Sequence, residues 1–428
     1  MTDAQISARR EAFAPRWLCV LAVAAAAGCS GADRDGGAGI AAAAHLASPA
    51  APGSGQPHLA VAPDGEAVLS WLQPDGEGYA LNFSRLRGGD WSEPQIVASG
   101  DDFLVNWADF PSVEPITTDV WAAHWLKIAP DSFASYDIAL SISNDGGRTW
   151  SEGELLNADG VLTEHGFVSL FPWGGDLGAV WLDGRRLAEL FETGVVDEDG
   201  PPVGVSLRYA RIGYDGAVGE RGEIDELACD CCQTDAALTA AGPLIVYRDR
   251  SPDEIRDIAV RRHEGGAWGP PVALGPDNWR IEGCPVNGPA VASDGEEVVV
   301  AWFTAAGSSP SVRFARSRDG GAAFAEPVEI DGDGSFGHVD VVLLGDGSAV
   351  VSWWRRRAEG FGIALAMRRV TRDGTLGDVQ VVAEHDIAQP LDVPQMVAAG
   401  NRLVLAWTDA QQMTVETATV PLPGSASD

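Results

Sequence analysis

Three of the six cysteines lie within four residues of one another, in the stretch ACDCCQTDAAL (228–238), and a fourth, Cys284, follows. Cysteines so placed can form disulfides, bind a soft metal ion such as copper or zinc, or react as thiols. Four thiols allow three pairings, and the sequence does not choose among them. Cys231 and Cys232 are adjacent and would face different directions in an extended strand. We therefore expect one of them to pair with Cys284 and the other with Cys229.

Arginines form a second group of residues with chemical potential. The chain has 428 residues, 62 acidic against 29 basic, and a formal net charge of −33. Such a surface repels nucleic acid and anionic lipid, which excludes both as partners. Arginines that gather in so acidic a chain suggest an anionic or polyol (glycan) ligand, or else solvated salt bridges. The candidate ligand-binding residues are Arg185, Arg248, Asp249, Arg250, Asn287 and Arg355.

The elements that must position these residues repeat along the chain. Stretches such as HLAVAPDGEAVLSWLQ (58–73), VDVVLLGDGSAVVSWWRR (339–356) and PQMVAAGNRLVLAWTDA (394–410) each read as two apolar strands joined by a Gly- or Asp-bearing turn. Seven such hairpins occur, and each second strand ends near an aromatic residue. These aromatic residues, spaced by 51 to 66 positions, are Trp71, Trp125, Trp181, Tyr247, Trp302, Trp353 and Trp407.

A third strand follows each hairpin, and a fourth follows six of them. Four strands at a period near fifty indicate a β-propeller, an all-β fold, here with seven four-stranded blades. Six blades is the alternative, if one copy is an appendage. The seventh copy stops after its third strand, so we expect IAAAAHLAS (40–48) to supply its outer strand and close the ring.

In a propeller, the first strand of each blade runs along the central channel, so the residues that enter these strands gather on one face. The entry residues are His58, Asp109, His165, Cys231, Cys232, Cys284, His338 and Asp392. Soft thiolate and imidazole together suit copper or zinc. The predicted metal set at the channel mouth is therefore Cys229, Cys231, Cys232, Cys284, His58, His165 and His338. In the plainer interpretation the cysteines form disulfides and the histidines cap strands.

The N-terminus has the character of an export signal. Arginines precede the apolar segment WLCVLAVAAAAG (17–28), which is too short to span a membrane and ends in AAGCS. Small residues before a cysteine resemble the lipobox of bacterial lipoproteins, which predicts lipidation at Cys29; an ordinary signal peptide is the alternative. We expect a signal peptide over 1–28, a tether and closing strand over 29–50, and the propeller over 51–424. The predicted location is the periplasm or the outer-membrane or cell surface, where disulfides form, and the predicted state is a monomer.

The turn SNDGGRTW (143–150) matches the Asp box, Ser-x-Asp-x-Gly-x-Thr-Trp, and weaker copies occur at SRLRGGDW (84–91), RRHEGGAW (261–268) and SRDGGAAF (317–324). In register, these motifs resemble those of the bacterial sialidase-like (BNR-repeat) propeller superfamily over essentially the whole mature chain. The motif is structural: Ser143 and Asp145 are expected to bond the turn backbone, and Trp150 to pack between blades.

The resemblance implies a sialidase-like exo-glycoside hydrolase as one candidate function. Such an enzyme needs a Tyr–Glu nucleophile pair, an Asp that acts as the acid, and three arginines that bind the substrate carboxylate. The candidate catalytic residues here are Tyr247, Glu254 and Asp235. The family's Phe-Arg-Ile-Pro motif is absent, since SGQPHLAV (54–61) stands in its place. We therefore predict no conventional sialidase activity. The leading hypothesis is a lipid-anchored propeller that binds a small ligand or metal at its channel mouth, and a protein-docking scaffold is the third.

Overall fold

The computed structural model describes residues 39–130, 135–193 and 202–422. The predicted signal peptide (1–28) and Cys29 lie outside the described residues. The described residues form seven antiparallel sheets, one for each predicted hairpin. The predicted seven-bladed propeller is therefore confirmed, and the six-bladed alternative is wrong.

The strands follow the predicted order within each blade. Strand β1 (Ala44–Leu46) comes first in the chain. Blade 1 contains β2 (Gly55–Val61), β3 (Ala67–Asp75), β4 (Gly78–Arg87), β5 (Asp90–Trp91) and β6 (Gln95–Gly100), and blade 2 contains β7 (Ser112–Pro115), β8 (Trp121–Ile128), β9 (Tyr136–Ser143) and β10 (Glu154–Leu155). Blade 3 contains β11 (His165–Trp173), β12 (Asp176–Asp183), α1 (Arg185–Thr193), β13 (Val205–Ile212) and β14 (Val218–Ala228).

The remaining four blades repeat the pattern with small additions. Blade 4 contains β15 (Asp235–Thr239), β16 (Gly242–Arg248), β17 (Ile258–Glu264), β18 (Ala267–Trp268) and β19 (Val272–Ala273), and blade 5 contains β20 (Ala290–Ser293), β21 (Val298–Thr304), a 3₁₀ turn (Ala306–Ser308), β22 (Ser311–Ser317) and β23 (Val328–Asp331). Blade 6 contains β24 (Ser335–Leu343), β25 (Ala349–Arg356), β26 (Ile363–Val370) and β27 (Gln380–His385). Blade 7 contains β28 (Gln395–Ala399), β29 (Arg402–Asp409) and β30 (Thr414–Pro421).

The two ends of the propeller meet in blade 7, as predicted from the missing outer strand. Strand β1 pairs with β30, with Ala44 opposite Thr419 and Leu46 opposite Thr417. The Thr417 hydroxyl donates to the Leu46 carbonyl at 2.9 Å. This pairing covers an edge that would otherwise expose free backbone groups, and it joins the first described strand to the last.

The hydrophobic core lies between neighbouring blades. The second strands alternate side chains from one inter-blade layer to the next, and Trp71, Trp302 and Trp353 are almost wholly buried there. Burial of such side chains stabilises the ring by roughly 25 cal/mol for each Å² of apolar surface removed from water. The tryptophan excess thus serves the packing of the blades.

The turn after β9 shows the contacts expected from its sequence. The Ser143 hydroxyl accepts from the Gly147 N–H at 2.9 Å, and one Asp145 carboxylate oxygen accepts from the Thr149 N–H at 2.9 Å. The Trp150 ring lies 6.1 Å from the Phe83 ring of blade 1. The turn is therefore a structural joint between two blades.

Blade 3 departs from the regular pattern. Helix α1 lies between its second and third strands, in the interval where the aromatic spacing is longest. This helix has nine residues. Within the described ranges, no helix has both the length and the apolar character needed to cross a bilayer.

Candidate functional site: the central channel and its mouth

The first strands surround a cavity of about 450 Å³ along the central channel. In each blade, a cavity-lining residue of the first strand pairs across the hairpin with one residue of the second strand. That second-strand residue directly precedes the aromatic residue. These seven positions, which we call the channel ring, are His58, Ser112, Ser169, Asp235, Ala290, Asp340 and Gln395. Six of the seven are polar, so the cavity has hydrogen-bonding groups on nearly every side.

Two aspartates of the channel ring link neighbouring blades. Asp235 accepts a hydrogen bond from the Val291 N–H at 2.7 Å, and Asp340 accepts one from the Met396 N–H. Burial raises the pKa of Asp235 to about 7 and, with repulsion from Asp235 added, that of Asp340 to about 8. Near neutral pH, both carboxyl groups hold their protons for much of the time and can donate to a ligand.

Glu114 brings a third carboxyl group to the same cavity. Burial, followed by the charge of Asp235, raises the pKa of Glu114 well above its ordinary value. One Glu114 oxygen lies 3.2 Å from His58 Nε2, and burial lowers the pKa of His58 to about 4. Both pKa shifts favour the neutral forms of the two groups. His58 Nδ1 has no hydrogen-bond partner among the described residues.

The mouth of the channel is bridged by Trp107, from the segment that leads into β7, and by Gln233, from the segment that leads into β15. The Trp107 ring stacks on the His338 ring of blade 6, with centroids 5.4 Å apart and planes inclined by 14°. Gln233 donates to the Ala108 carbonyl at 2.6 Å and accepts from the Gly288 N–H at 3.0 Å. These contacts span the channel at the face where the first strands begin.

The opposite end of the cavity has a different rim. Val61 and Leu238, which lie at or near the ends of their first strands, line the cavity and are 39% and 42% exposed. The cavity thus extends along the first strands from a bridged mouth to an apolar, exposed rim.

Of the three histidines predicted to ring the mouth, His58 and His338 both line the channel cavity, whereas His165 is not among its lining residues. His58 pairs with Ser70 in the channel ring, whereas His165 pairs with Asp183, beyond the aromatic Trp181. Their positions are therefore not equivalent, because the strand entries differ in length and contain bulges. His338 has a positive φ at such a bulge, and its Nδ1 lies 2.8 Å from the Asp392 carbonyl oxygen.

His165 belongs to a compact acidic cluster with Asp159 and Asp183 whose ligand atoms lie within 4.8 Å of one another. His165 Nε2 is 3.2 Å from Asp159, and its Nδ1 is 3.1 Å from the Tyr136 carbonyl oxygen. Arg185 donates twice to Asp183, at 2.6 Å each, and lies 2.8 Å from Asp159. The arginine supplies the positive charge that a metal ion would bring.

The four cysteines lie together where blades 4 and 5 begin. Cys231 and Cys284 form a disulfide, and the Cys229 and Cys232 sulfurs are 3.1 Å apart. The Cys232 thiol and the charges of Arg248 and Arg256 lower the pKa of Cys229 to about 6, against the effect of its burial. Burial raises the pKa of Cys232 well above its ordinary value. One of the two adjacent cysteines pairs with Cys284 as expected, whereas Cys229 and Cys232 lie together as free thiols and not as a second disulfide. Copper or zinc binding stays a prediction.

Arg248, a candidate ligand-binding residue, has its donors directed at main-chain carbonyls. It is only 2% exposed. It donates to the carbonyls of Asn287, Arg256 and Phe303 at 2.7 to 2.9 Å, and its guanidinium lies 4.8 Å from the Trp279 ring centroid. In this arrangement Arg248 joins two loops to strand β21, and it is not among the residues that line the channel cavity.

The other predicted ligand-binding residues are also engaged. Arg250 donates to Glu254 at 2.6 Å, and Arg355 lies 3.3 Å from Asp331. Asn287 is buried, and its side-chain oxygen accepts from the His338 N–H at 2.7 Å.

Asp249 follows Arg248 and is only half-buried by its loop. Burial, followed by the charge of Asp225, raises the pKa of Asp249 to about 6. One of its oxygens accepts from the Arg250 N–H at 2.8 Å. Of the predicted set, Arg355 and Asn287 line a second cavity, of about 540 Å³, between blades 5 and 6.

The three candidate catalytic residues have different partners. Tyr247 is buried between blades and donates to Asp225 at 2.6 Å. Glu254 pairs with Arg250 and Arg256, which lower its pKa, and only Asp235 lines the channel cavity. The aromatic residue of each second strand faces the layer between blades, so Tyr247 packs between blades.

Sequence reasoning did not single out Glu114, Asp340, Gln395 or Trp107. A signal for the channel ring exists in the repeats, because each ring residue stands twelve or thirteen positions before the aromatic of its hairpin. No comparable signal marks Trp107, which lies in an irregular connection.

The sequence matches no family model and no curated protein. Among solved structures, the chain is similar to an α-L-arabinanase of Penicillium chrysogenum complexed with arabinobiose, with 14% identity, coverage of 90% of this chain and 99% of the other, and a TM-score of 0.49. It is also similar to a protein of unknown function from Dyadobacter fermentans (14% identity, 90% and 98% coverage, TM-score 0.46) and to an α-L-arabinofuranosidase of Fusarium graminearum (12%, 89% and 97%, 0.46). The seven sheets of the described residues themselves show that this chain is a β-propeller.

Proposed function

We propose that this propeller binds a small, neutral polyhydroxyl ligand, of the size of a monosaccharide, inside the central channel. The observation that carries the proposal is the 450 Å³ cavity with its polar channel ring. Binding pockets for small molecules are commonly about 300 to 1,000 Å³, with a few polar groups set among apolar ones. Leu59, Val341 and Val397 supply the apolar part here.

The charges favour a neutral ligand over an anion. Asp235, Asp340 and Glu114 face the cavity, and burial raises the pKa of each carboxyl group, which favours its protonated form. A protonated carboxyl group donates one hydrogen bond and accepts others, which matches a sugar hydroxyl. The predicted anion-binding residues Arg185 and Arg248 are committed to protein acceptors.

The test is a calorimetric titration with neutral polyols (arabinose, glucose, myo-inositol) and with anionic N-acetylneuraminate and gluconate. We expect a neutral compound to bind, and Gln395→Leu to weaken that binding about tenfold, since a lost hydrogen bond and an unpaired partner cost roughly 1–3 kcal/mol. Glu359→Gln, on an exposed loop, is the control and should bind like the parent. Binding of the anions alone, or equal affinity in Gln395→Leu, would contradict the proposal.

Glycoside hydrolysis is the second candidate, and it is favoured by the carboxyl groups that share the cavity. A carboxyl group whose pKa lies near 7 can protonate a leaving group while another stays ionised. Chromogenic arabinosides, glucosides and a sialoside would serve as probes. Turnover that is abolished by Asp235→Asn and retained in Tyr247→Phe would establish a channel-centred hydrolase; without turnover, the protein binds its ligand unchanged.

We also propose that the protein is an exported, lipid-anchored propeller, as AAGCS suggests. Replacing Cys29 with Ala should move the protein from the membrane fraction to the soluble extracytoplasmic fraction. A variant that remains with the membrane would show that the anchor lies elsewhere.

A further inference from the structure

The four cysteines differ sharply in their access to solvent. Cys229 and Cys232 are 1% and 2% exposed, so an external reagent does not meet their sulfurs directly. Cys284 is exposed and Cys231 half-buried. The disulfide between them therefore lies on the solvent side of the buried thiol pair.

The sulfur atoms are close enough to exchange partners. The Sγ atoms of Cys229, Cys231 and Cys232 all lie within 4.8 Å of one another. The Arg256 guanidinium donates to the Cys229 sulfur at 3.3 Å, and a neighbouring cation favours the thiolate, which is the attacking form. Cys229 thus faces both its buried partner and one sulfur of the exposed disulfide.

We propose that these four cysteines form a thiol–disulfide relay, in which the exposed disulfide passes oxidising equivalents from a small external disulfide to the buried Cys229–Cys232 pair. This inference is independent of the ligand proposed for the channel. The oxidant is a low-molecular-weight disulfide of the glutathione class, which exchanges with thiolates through a mixed disulfide.

The relay proceeds by four exchanges. The Cys229 thiolate attacks the Cys231 sulfur, the Cys231–Cys284 bond breaks, and Cys284 leaves as an exposed thiolate. Cys284 then attacks the external disulfide RSSR, becomes Cys284–SR and releases RS⁻. Cys232, after losing its proton, attacks the Cys229 sulfur and frees Cys231. Finally, Cys231 attacks Cys284–SR, restores the exposed disulfide and releases the second RS⁻.

The balance of the cycle is simple. Two protein thiols and one RSSR give one new disulfide, Cys229–Cys232, and two RSH, with the two thiol protons transferred to the two RS⁻ groups. Two electrons pass from the buried sulfurs to the external disulfide, and the Cys231–Cys284 bond is present at the beginning and at the end.

The first experiment traps the intermediate on the unaltered protein. The full chain, with the buried pair reduced, is exposed briefly to oxidised glutathione, quenched with acid and alkylated, and the modified peptides are identified by mass spectrometry. We expect the glutathione adduct on Cys284. An adduct on Cys229 or Cys232 would overturn the relay, as would a buried pair that stays unchanged at every ratio of reduced to oxidised glutathione.

The second experiment removes the exposed disulfide. In the double variant Cys231→Ser/Cys284→Ser, oxidation of Cys229 and Cys232 by oxidised glutathione should slow at least about tenfold, because direct access is blocked. The matched control, Cys229→Ser/Cys232→Ser, should keep a reducible Cys231–Cys284 bond. Equal oxidation rates in the parent and the first variant would contradict the relay. Stoichiometric copper or zinc that protects the thiols from alkylation would replace it with a metal site.

Discussion

Replacement of Arg248 by Met should destabilise the propeller by several kcal/mol. The guanidinium donates four hydrogen bonds, of 2.7 to 2.9 Å, to three buried carbonyl groups, two in different loops and one in strand β21. A hydrogen bond from a charged group contributes about 1.5–3 kcal/mol, and a buried acceptor left unpaired costs about 1–3 kcal/mol. Methionine would fill much of the volume but satisfy none of the three acceptors. With partial rehydration of the loops, we expect a loss of about 4 kcal/mol.

The assay is equilibrium unfolding in guanidinium chloride, with the m-value checked for each protein. Arg280→Ala is the matched control in the neighbouring segment, because its side chain is 68% exposed and lies 3.5 Å from Glu282. Exposed ion pairs contribute about 0–1 kcal/mol, so this control should unfold almost like the parent. If Arg248→Met costs less than about 1 kcal/mol at an unchanged m-value, the structural role of Arg248 is refuted and a ligand-binding role regains support.

Three further predictions concern the disulfide, the channel acids and the mouth. Replacing Cys231 and Cys284 with Ala removes the disulfide, which joins cysteines 53 residues apart in the sequence. In the chain-entropy treatment this should lower the free energy of unfolding by about 4 kcal/mol, as measured by denaturant unfolding. The pKa of Asp340 is raised from 3.8 to about 8, so the folded protein holds an extra proton between those pH values. The free energy of unfolding should therefore fall as the pH rises from about 4 to 8. Asp340→Asn should reduce that fall in unfolding experiments at pH 5 and pH 8. Trp107→Ala removes the ring stacked on His338 and should speed ligand release about tenfold, about 1.4 kcal/mol in the barrier, in stopped-flow measurements. An unchanged free energy of unfolding would refute the disulfide prediction, and an unchanged pH dependence of stability would refute the Asp340 prediction. An unchanged release rate would refute the Trp107 prediction.

The architecture could be predicted because the repeats determine it. One hairpin and one aromatic residue recur seven times, so the number of blades follows from counting, and the missing strand of the last blade indicates where 40–48 must pair. These features depend on backbone hydrogen bonding and on apolar periodicity, which local sequence expresses directly.

The site could be predicted only in part, because the residues at the mouth lie in connections that do not follow the repeat. His58 and His165 precede similar strands, yet one lies in the channel ring and the other beside Arg185. The cysteine neighbourhood was predictable because two adjacent blade entries bring it together. The burial of Arg248 was not, because its acceptors come from two separate loops and from a strand of the next blade.

A crystal structure of the protein soaked with the tightest-binding neutral polyol tests the central claim most directly. We expect density for the compound inside the central cavity, within hydrogen-bond distance of Gln395 and at least one of Glu114, Asp235 and Asp340. A compound bound outside the channel, at the cysteines or in the arginine-lined cavity between blades 5 and 6, would contradict the account.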